Sequence, residues 1–186
     1  MRDVILIPGL GTNNERLYIW LRPLWRLYGV RLHVCELAWE DGGDFEPKYQ
    51  KLLAAAEGCR NLIGVVGASA GASATIILAA RNPELTQRIV SICGVLDSNY
   101  LNPVTMQKRS PAFLTAAKIA DQYLSEDENL AKKLLTIRPL SDNTVDPSVA
   151  TVPGAADLRV RTRGHAFSIA YTLTFKIGFI KKFLLS

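Results

Sequence analysis

Ser69 lies at the centre of Gly67-Ala68-Ser69-Ala70-Gly71, after the apolar run Leu62-Ile63-Gly64-Val65-Val66 and before an alanine-rich stretch. That order predicts a strand, a tight turn with serine at its apex, and a helix. The small flanking residues have a physical purpose, since such a turn strains the serine backbone and crowds the positions two residues to either side. A serine hydroxyl is a poor nucleophile at neutral pH, so acyl transfer requires a base within hydrogen-bond reach and a third group to orient that base. The chain has two histidines. His33 falls inside a predicted strand and reads as structural. His165, in Arg163-Gly164-His165-Ala166-Phe167, follows the last predicted strand through a glycine, where a base would have to sit to face Ser69. Three aspartates compete for the third role. Asp142 is the first acid after an apolar run and is preferred; Asp97 also follows a predicted strand; Asp146 precedes Pro147, an arrangement typical of a turn.

The elements that must position these groups alternate. Val4-Ile5-Leu6-Ile7 is a strand of the kind buried on both faces, running into the glycine loop Pro8-Gly9-Leu10-Gly11. Asn13 or Asn14 can cap a helix with an apolar side of Leu17, Trp20, Leu21, Leu24 and Leu27, and a kink is expected at Pro23. Trp20 and Trp25 are expected in the core. A strand over 30–37 leads to the loop Trp39-Glu40-Asp41-Gly42-Gly43, where Trp39 and Phe45 are candidates for a pocket wall or for the core. A helix over 47–58, the elbow strand, a helix over 70–81 and a strand over 89–95 follow. This alternation implies a parallel sheet with helices on both faces and a site at the carboxyl ends of the strands.

The rhythm breaks between 97 and 128, a polar stretch punctuated by Pro103 and Pro111 around a helix over 113–124. It reads either as a small lid insertion or as a long plain connection. A helix near 128–135, a short strand through Ile137-Arg138-Pro139-Leu140 and a strand over 157–162 complete the pattern. The apolar C-terminal stretch, with Phe167, Ile169, Ala170, Leu173, Phe175, Ile177, Ile180 and Leu184, is interrupted by Lys176 and Lys181-Lys182. It is expected to dock on the sheet rather than to span a membrane.

A chain of 186 residues, 48% of them hydrophobic, suits a single domain over 1–186. The net charge of +5 is scattered in pairs such as Lys108-Arg109 and lacks a basic stripe interleaved with aromatics, which argues against nucleic acid as a partner. Cys35, Cys59 and Cys93 are odd in number and widely spaced. They read as free thiols in a reducing compartment, with no spacing of metal-ligand type. A strand that begins within three residues leaves no signal segment, so a cytoplasmic chain is expected.

The order serine, acid, histidine, with Val4 to Gly9, Gly67 to Gly71, Asp142 and Gly164-His165, resembles the α/β-hydrolase superfamily over nearly the whole chain. It is similar to compact esterase-like members that begin at the third strand of the full fold. The resemblance implies a three-layer α/β sandwich with a mostly parallel central sheet. It implies Ser69, Asp142 and His165 as a catalytic triad, and backbone N–H groups of Leu10 (or the adjacent Gly11) and Ala70 as the oxyanion hole. Gly9, Gly11 and Trp39 are the expected substrate contacts. Many relatives have histidine where this chain has Pro8 and Ala68, which bears on substrate preference more than on catalysis. The expected activity is hydrolysis of small carboxylic esters through an acyl-enzyme, with no metal or organic cofactor implied. A thioesterase, an acyltransferase and a non-catalytic binding module are the alternatives, and a lipase is disfavoured if the segment after Asp97 is short and polar.

Overall fold

The computed structural model describes residues 1–11 and 18–186. The cap positions Asn13 and Asn14, and Leu17, lie outside the described residues. Six strands form one sheet: β1 (Arg2–Ile7), β2 (Val30–Val34), β3 (Leu62–Ala68), β4 (Ile89–Ile92), β5 (Leu134–Ser141) and β6 (Ala156–Arg163). Their spatial order is β2-β1-β3-β4-β5-β6, and every pairing is parallel. The chain therefore starts one strand in from an edge, moves out to the edge strand β2, crosses back past β1 to β3 and then proceeds to the other edge.

The side-chain alternation of a strand divides the core in two. Ile5, Ile7, Val65, Ile89 and Leu134 point to one side, where α2 (Phe45–Glu57), α3 (Gly71–Arg81) and α5 (Pro111–Glu126) cover them. Val4, Leu6, Val66, Val90, Ile92 and Ile137 point to the other, under α1 (Leu21–Leu27), α7 (His165–Phe175) and α8 (Ile177–Leu184). With both faces covered, the central strands need no polar side, which explains their continuous apolar runs.

Pro23 lies in the first turn of α1, and the chain is already helical at 18–19, with the break between the two stretches at Trp20, where the N–H that Pro23 lacks would have reached the carbonyl of residue 19. Trp25 is buried, and its indole N–H donates to the Leu173 carbonyl at 3.0 Å, tying α1 to α7. Trp20 departs from expectation, being exposed to solvent rather than packed in the core. The C-terminal stretch divides similarly. Ile169, Leu173, Ile177, Ile180 and Leu184 dock on the sheet, whereas Phe167 and Phe175 point outward.

Most of the 97–128 stretch is the crossover from β4 to β5. Helix α5 buries Ala112, Phe113, Leu114, Ala116, Ala117 and Ala120 against the layer that contains α3. The short α4 (Pro103–Arg109) buries none of its residues. Helix α6 (Glu128–Lys132) then leads into β5, which is longer than the apolar run around Pro139 implies. Its pairing with β6 shifts register between Pro139 and Ser141, the irregularity expected of a proline in a strand.

Candidate active site

Ser69 adopts φ +53°, a left-handed conformation that non-glycine residues seldom take. Its N–H continues the sheet ladder to the Ile92 carbonyl at 2.9 Å, and its carbonyl accepts from Ala72 N–H at 3.0 Å in the first turn of α3. One residue thus ends a strand and starts a helix. Glycine at 71 is required by contact, because a Cβ there would lie 2.1 Å from the Ile7 carbonyl oxygen. Gly9 brings the first loop equally close: a Cβ there would stand 2.7 Å from Ser69 Cβ and 3.2 Å from its Oγ. Cys93 has the same left-handed φ of +53°, so two of the three non-glycine residues with positive φ among the described residues, the third being Ala38 beyond β2, lie where β3 and β4 end side by side.

The loop after β5 and the start of α7 are tied together. Gly164 N–H donates to the Ser141 carbonyl at 2.9 Å, and His165 N–H donates to Asn143 Oδ1 at 3.2 Å. Ser168 Oγ, hydrogen-bonded to the Gly164 carbonyl at 2.6 Å and to Thr162 at 2.8 Å, secures the helix start from below. Within this frame His165 Nδ1 lies 2.8 Å from Asp142 Oδ2. The Asp142 carboxylate is 1% exposed, and its other oxygen accepts from Thr144 N–H at 2.8 Å and Val145 N–H at 3.1 Å. The carboxylate is thereby both buried and aimed.

The other two aspartates have different tasks. Asp97 is exposed and caps the short 3-10 turn Ser98–Tyr100, accepting from Asn99 N–H. Asp146 caps Pro147–Ala150 through Ser148 N–H. His33 is paired with the buried Asp3 at 2.9 Å near the opposite end of the sheet's first strands. Burial pushes the Asp3 carboxyl up, but hydrogen bonds from His33 and Asn61 with the charges of His33 and Arg31 outweigh it and hold the group below its ordinary range.

Cys93 lies beside the pair. Donor atoms of Cys93, Asp142 and His165 all fall within 4.8 Å of one another. Burial, followed by the negative charge of Asp142, pushes the Cys93 thiol up to about 12. With its proton held, this sulfur packs beside the pair as a small apolar group. Cys35 and Cys93 each sit one residue beyond the end of their strands, are free and are buried.

Ser69 and His165 line the same cavity, of about 430 Å³, together with Gly9 and Leu10, Tyr18, Trp20 and Leu21, Arg109 and Thr144, and a stripe of α7 that includes Ala166, Ile169, Ala170 and Leu173. Two substrate contacts expected from the sequence lie elsewhere. Trp39 is buried, stacked 6.2 Å from Phe45 and edge-on to Phe113. Its N–H donates to the Pro8 carbonyl at 3.0 Å, so it braces the glycine loop from behind. Gly11 turns its N–H toward Glu40 Oε2 at 3.1 Å. Glu40 Oε1 also accepts from Arg109 Nε at 2.8 Å, which joins the glycine loop to the end of α4 at the cavity wall.

Sequence reasoning missed this bridge because its partners are 69 residues apart. It also missed the α7 wall, although Ala166 and Ala170, small and four apart next to His165, are the pattern of a helix face that lets something approach closely.

No protein-family model matches the chain, and no curated protein does. Solved structures do. One of the metagenome-derived lipolytic enzymes LipS and LipT superposes with a TM-score of 0.75 at 15% identity, covering 97% of this chain and 94% of that one. Est1E from Butyrivibrio proteoclasticus gives 0.66 at 13%, covering 99% and 87%. The pyrethroid hydrolase PytH gives 0.69 at 18%, covering 100% and 98%. The chain has the α/β-hydrolase fold.

Proposed function

We propose that this protein is a serine hydrolase that cleaves small carboxylic esters through an acyl-enzyme. The observation that carries this reading is the convergence on one cavity of Ser69 on its left-handed elbow and of His165, whose Nδ1 is held by the buried Asp142 at 2.8 Å. Ser69 Oγ attacks the ester carbonyl carbon as its proton passes to His165 Nε2. Asp142 fixes the tautomer with hydrogen on Nδ1 and stabilises the imidazolium that results. The tetrahedral oxyanion is received by the N–H groups of Leu10 and Ala70. The C–O bond to the alcohol breaks as His165 returns the proton to the leaving oxygen. Water, deprotonated by the same imidazole, then releases the acid and regenerates Ser69. Backbone donors of this kind supply about 3–4 kcal/mol each to the transition state.

The cavity is the size of a small to medium acyl or alkoxy group and is predominantly apolar, with Arg109 as its one cation among the described lining residues. The test is labelling with a fluorophosphonate, read by intact mass, of the wild type beside Ser69→Ala and His165→Ala. Labelling of the wild type alone is expected. A folded wild type that takes no label overturns the reading.

A further inference from the structure

The layer that carries the cavity differs in composition from the opposite one. The segments 21–27 and 165–184, which form α1, α7 and α8, contain no Asp or Glu and five basic residues, Arg22, Arg26, Lys176, Lys181 and Lys182. The other layer holds the helix carboxylates, Glu46 and Glu57 on α2, Asp121 and Glu126 on α5. These described helices, together with Trp20 just before α1, expose large apolar side chains: Trp20 at 82%, Leu27 at 82%, Phe175 at 69%, Phe167 at 62% and Phe179 at 46%. Single exposed hydrophobics are ordinary, but a group of them on one face marks an interaction surface.

These side chains share that face for structural reasons. Phe167, Tyr171 and Phe175 follow one another along α7 with tilted rings whose centroids are 6.4 Å and 5.3 Å apart, and Lys176 Nζ lies 5.7 Å from the Tyr171 ring centroid. They form the stripe next to Ala166, Ala170 and Thr174, which line the cavity. Across the cavity, Trp20 is itself a lining residue. Lys181 Nζ reaches the Tyr28 carbonyl at 2.7 Å, so α8 and its Phe179 join the end of α1 with Leu27. The cavity, with Trp20 and Arg109 in its lining, thus opens on the layer whose described helices carry exposed aromatic and basic side chains and no Asp or Glu.

We propose that this face docks on an anionic phospholipid surface, with Trp20, Leu27, Phe175 and Phe179 entering the headgroup region and Arg26, Lys176 and Lys182 meeting the lipid phosphates. Aromatic side chains at the boundary and basic groups beside them are what an interfacial surface requires. The complementary charge selects anionic over neutral lipid, each cation near such a surface giving about fivefold in partitioning. That the docked protein draws its acyl substrate from the lipid phase rests on the esterase reading; the docking itself does not need Ser69.

The experiment is sedimentation of the full chain, as Ser69→Ala, with vesicles of equal parts phosphatidylcholine and phosphatidylglycerol and with phosphatidylcholine alone, alongside tryptophan emission. Trp25 and Trp39 are buried, so a blue shift on vesicle addition reports Trp20. Anionic vesicles are expected to bind at least about tenfold more tightly than neutral ones, with binding falling as salt rises. Leu27→Ser/Phe175→Ser/Phe179→Ser is expected to weaken partitioning about tenfold or more, while its Ser69-bearing counterpart hydrolyses a soluble short-chain ester normally. Arg26→Gln/Lys176→Gln/Lys182→Gln gives an independent loss should the first variant fold poorly. Absence of binding and of a Trp20 shift, or binding indifferent to both variants, overturns the proposal. So does a concentration-dependent dimer that the apolar variant abolishes without any vesicle binding, which would assign the face to a second copy of the chain. Because vesicle binding is measured on Ser69→Ala, its failure is distinct from failure of the hydrolase reading, which fluorophosphonate labelling tests.

Discussion

Replacing Asp142 with asparagine separates the orienting role of this residue from its structural one. Asp142 Oδ1 accepts from Thr144 and Val145 N–H, and Oδ2 faces His165 Nδ1 at 2.8 Å. In Asp142→Asn the amide oxygen must take the Oδ1 position, because the two backbone donors admit only an acceptor. The NH2 group is then directed at His165 Nδ1, which becomes an acceptor. The imidazole proton moves to Nε2, the atom that has to accept hydrogen from Ser69. The negative charge that stabilises the imidazolium is lost at the same time. Together these predict a fall in kcat of about ten-thousandfold, roughly 5 kcal/mol of transition-state stabilisation. The fold should lose only about 1–2 kcal/mol, since the turn cap survives. The assay is p-nitrophenyl butyrate hydrolysis with thermal unfolding in parallel, beside Asp97→Asn and Asp146→Asn, which alter exposed caps and should leave kcat within about twofold. A kcat within tenfold of wild type for Asp142→Asn, or a collapse confined to Asp97→Asn, refutes the reasoning.

Gly9→Ala places a Cβ 2.7 Å from Ser69 Cβ, so kcat should fall about a hundredfold through misplacement of the hydroxyl, with a smaller loss of stability. Gly71→Ala, with its Cβ 2.1 Å from the Ile7 carbonyl oxygen, should instead unfold the protein at markedly lower urea, a cost of about 3 kcal/mol or more. For acid stability, Asp157 is held below its ordinary range chiefly by the hydrogen bond from Arg138, and Asp3 by the donors named above, against its burial. A carboxylate depressed in the folded state stabilises fully above its unfolded value of about 3.9 and loses that contribution as pH falls through the folded value. Urea midpoints should therefore hold between about pH 7 and 5 and drop below about pH 4; Arg138→Met should shrink the drop, and an equal drop in that variant would contradict the assignment.

The central sheet and Ser69 were legible because both are local patterns. Continuous apolar runs mark strands buried on two faces, and small residues around serine mark a turn that cannot hold larger ones. The sequence extends the strand from Ile89 to Val95, past its end at Ile92, because Gly94 and Val95 continue its apolar character while the left-handed Cys93 that ends it leaves no compositional trace. Sequence points Trp20, Phe167 and Phe175 inward, because hydrophobicity alone does not distinguish an apolar side chain that packs on the sheet from one left at the surface. Asp142 could be ranked above Asp97 and Asp146 but not separated from them. What distinguishes it is burial against His165, a contact between residues 23 apart that only the parallel pairing of β5 with β6 creates. The Glu40–Arg109 bridge is longer-range still and had no sequence signal.

The most direct test of the account is rapid quenching of the wild type mixed with p-nitrophenyl butyrate, followed by intact mass and peptide mapping. A burst of nitrophenol matched by one butyryl group on the peptide containing Ser69, absent in Ser69→Ala and strongly slowed in Asp142→Asn, is the predicted result. A folded, active protein acylated elsewhere, or turning over the ester with Ser69 replaced by alanine, would contradict it.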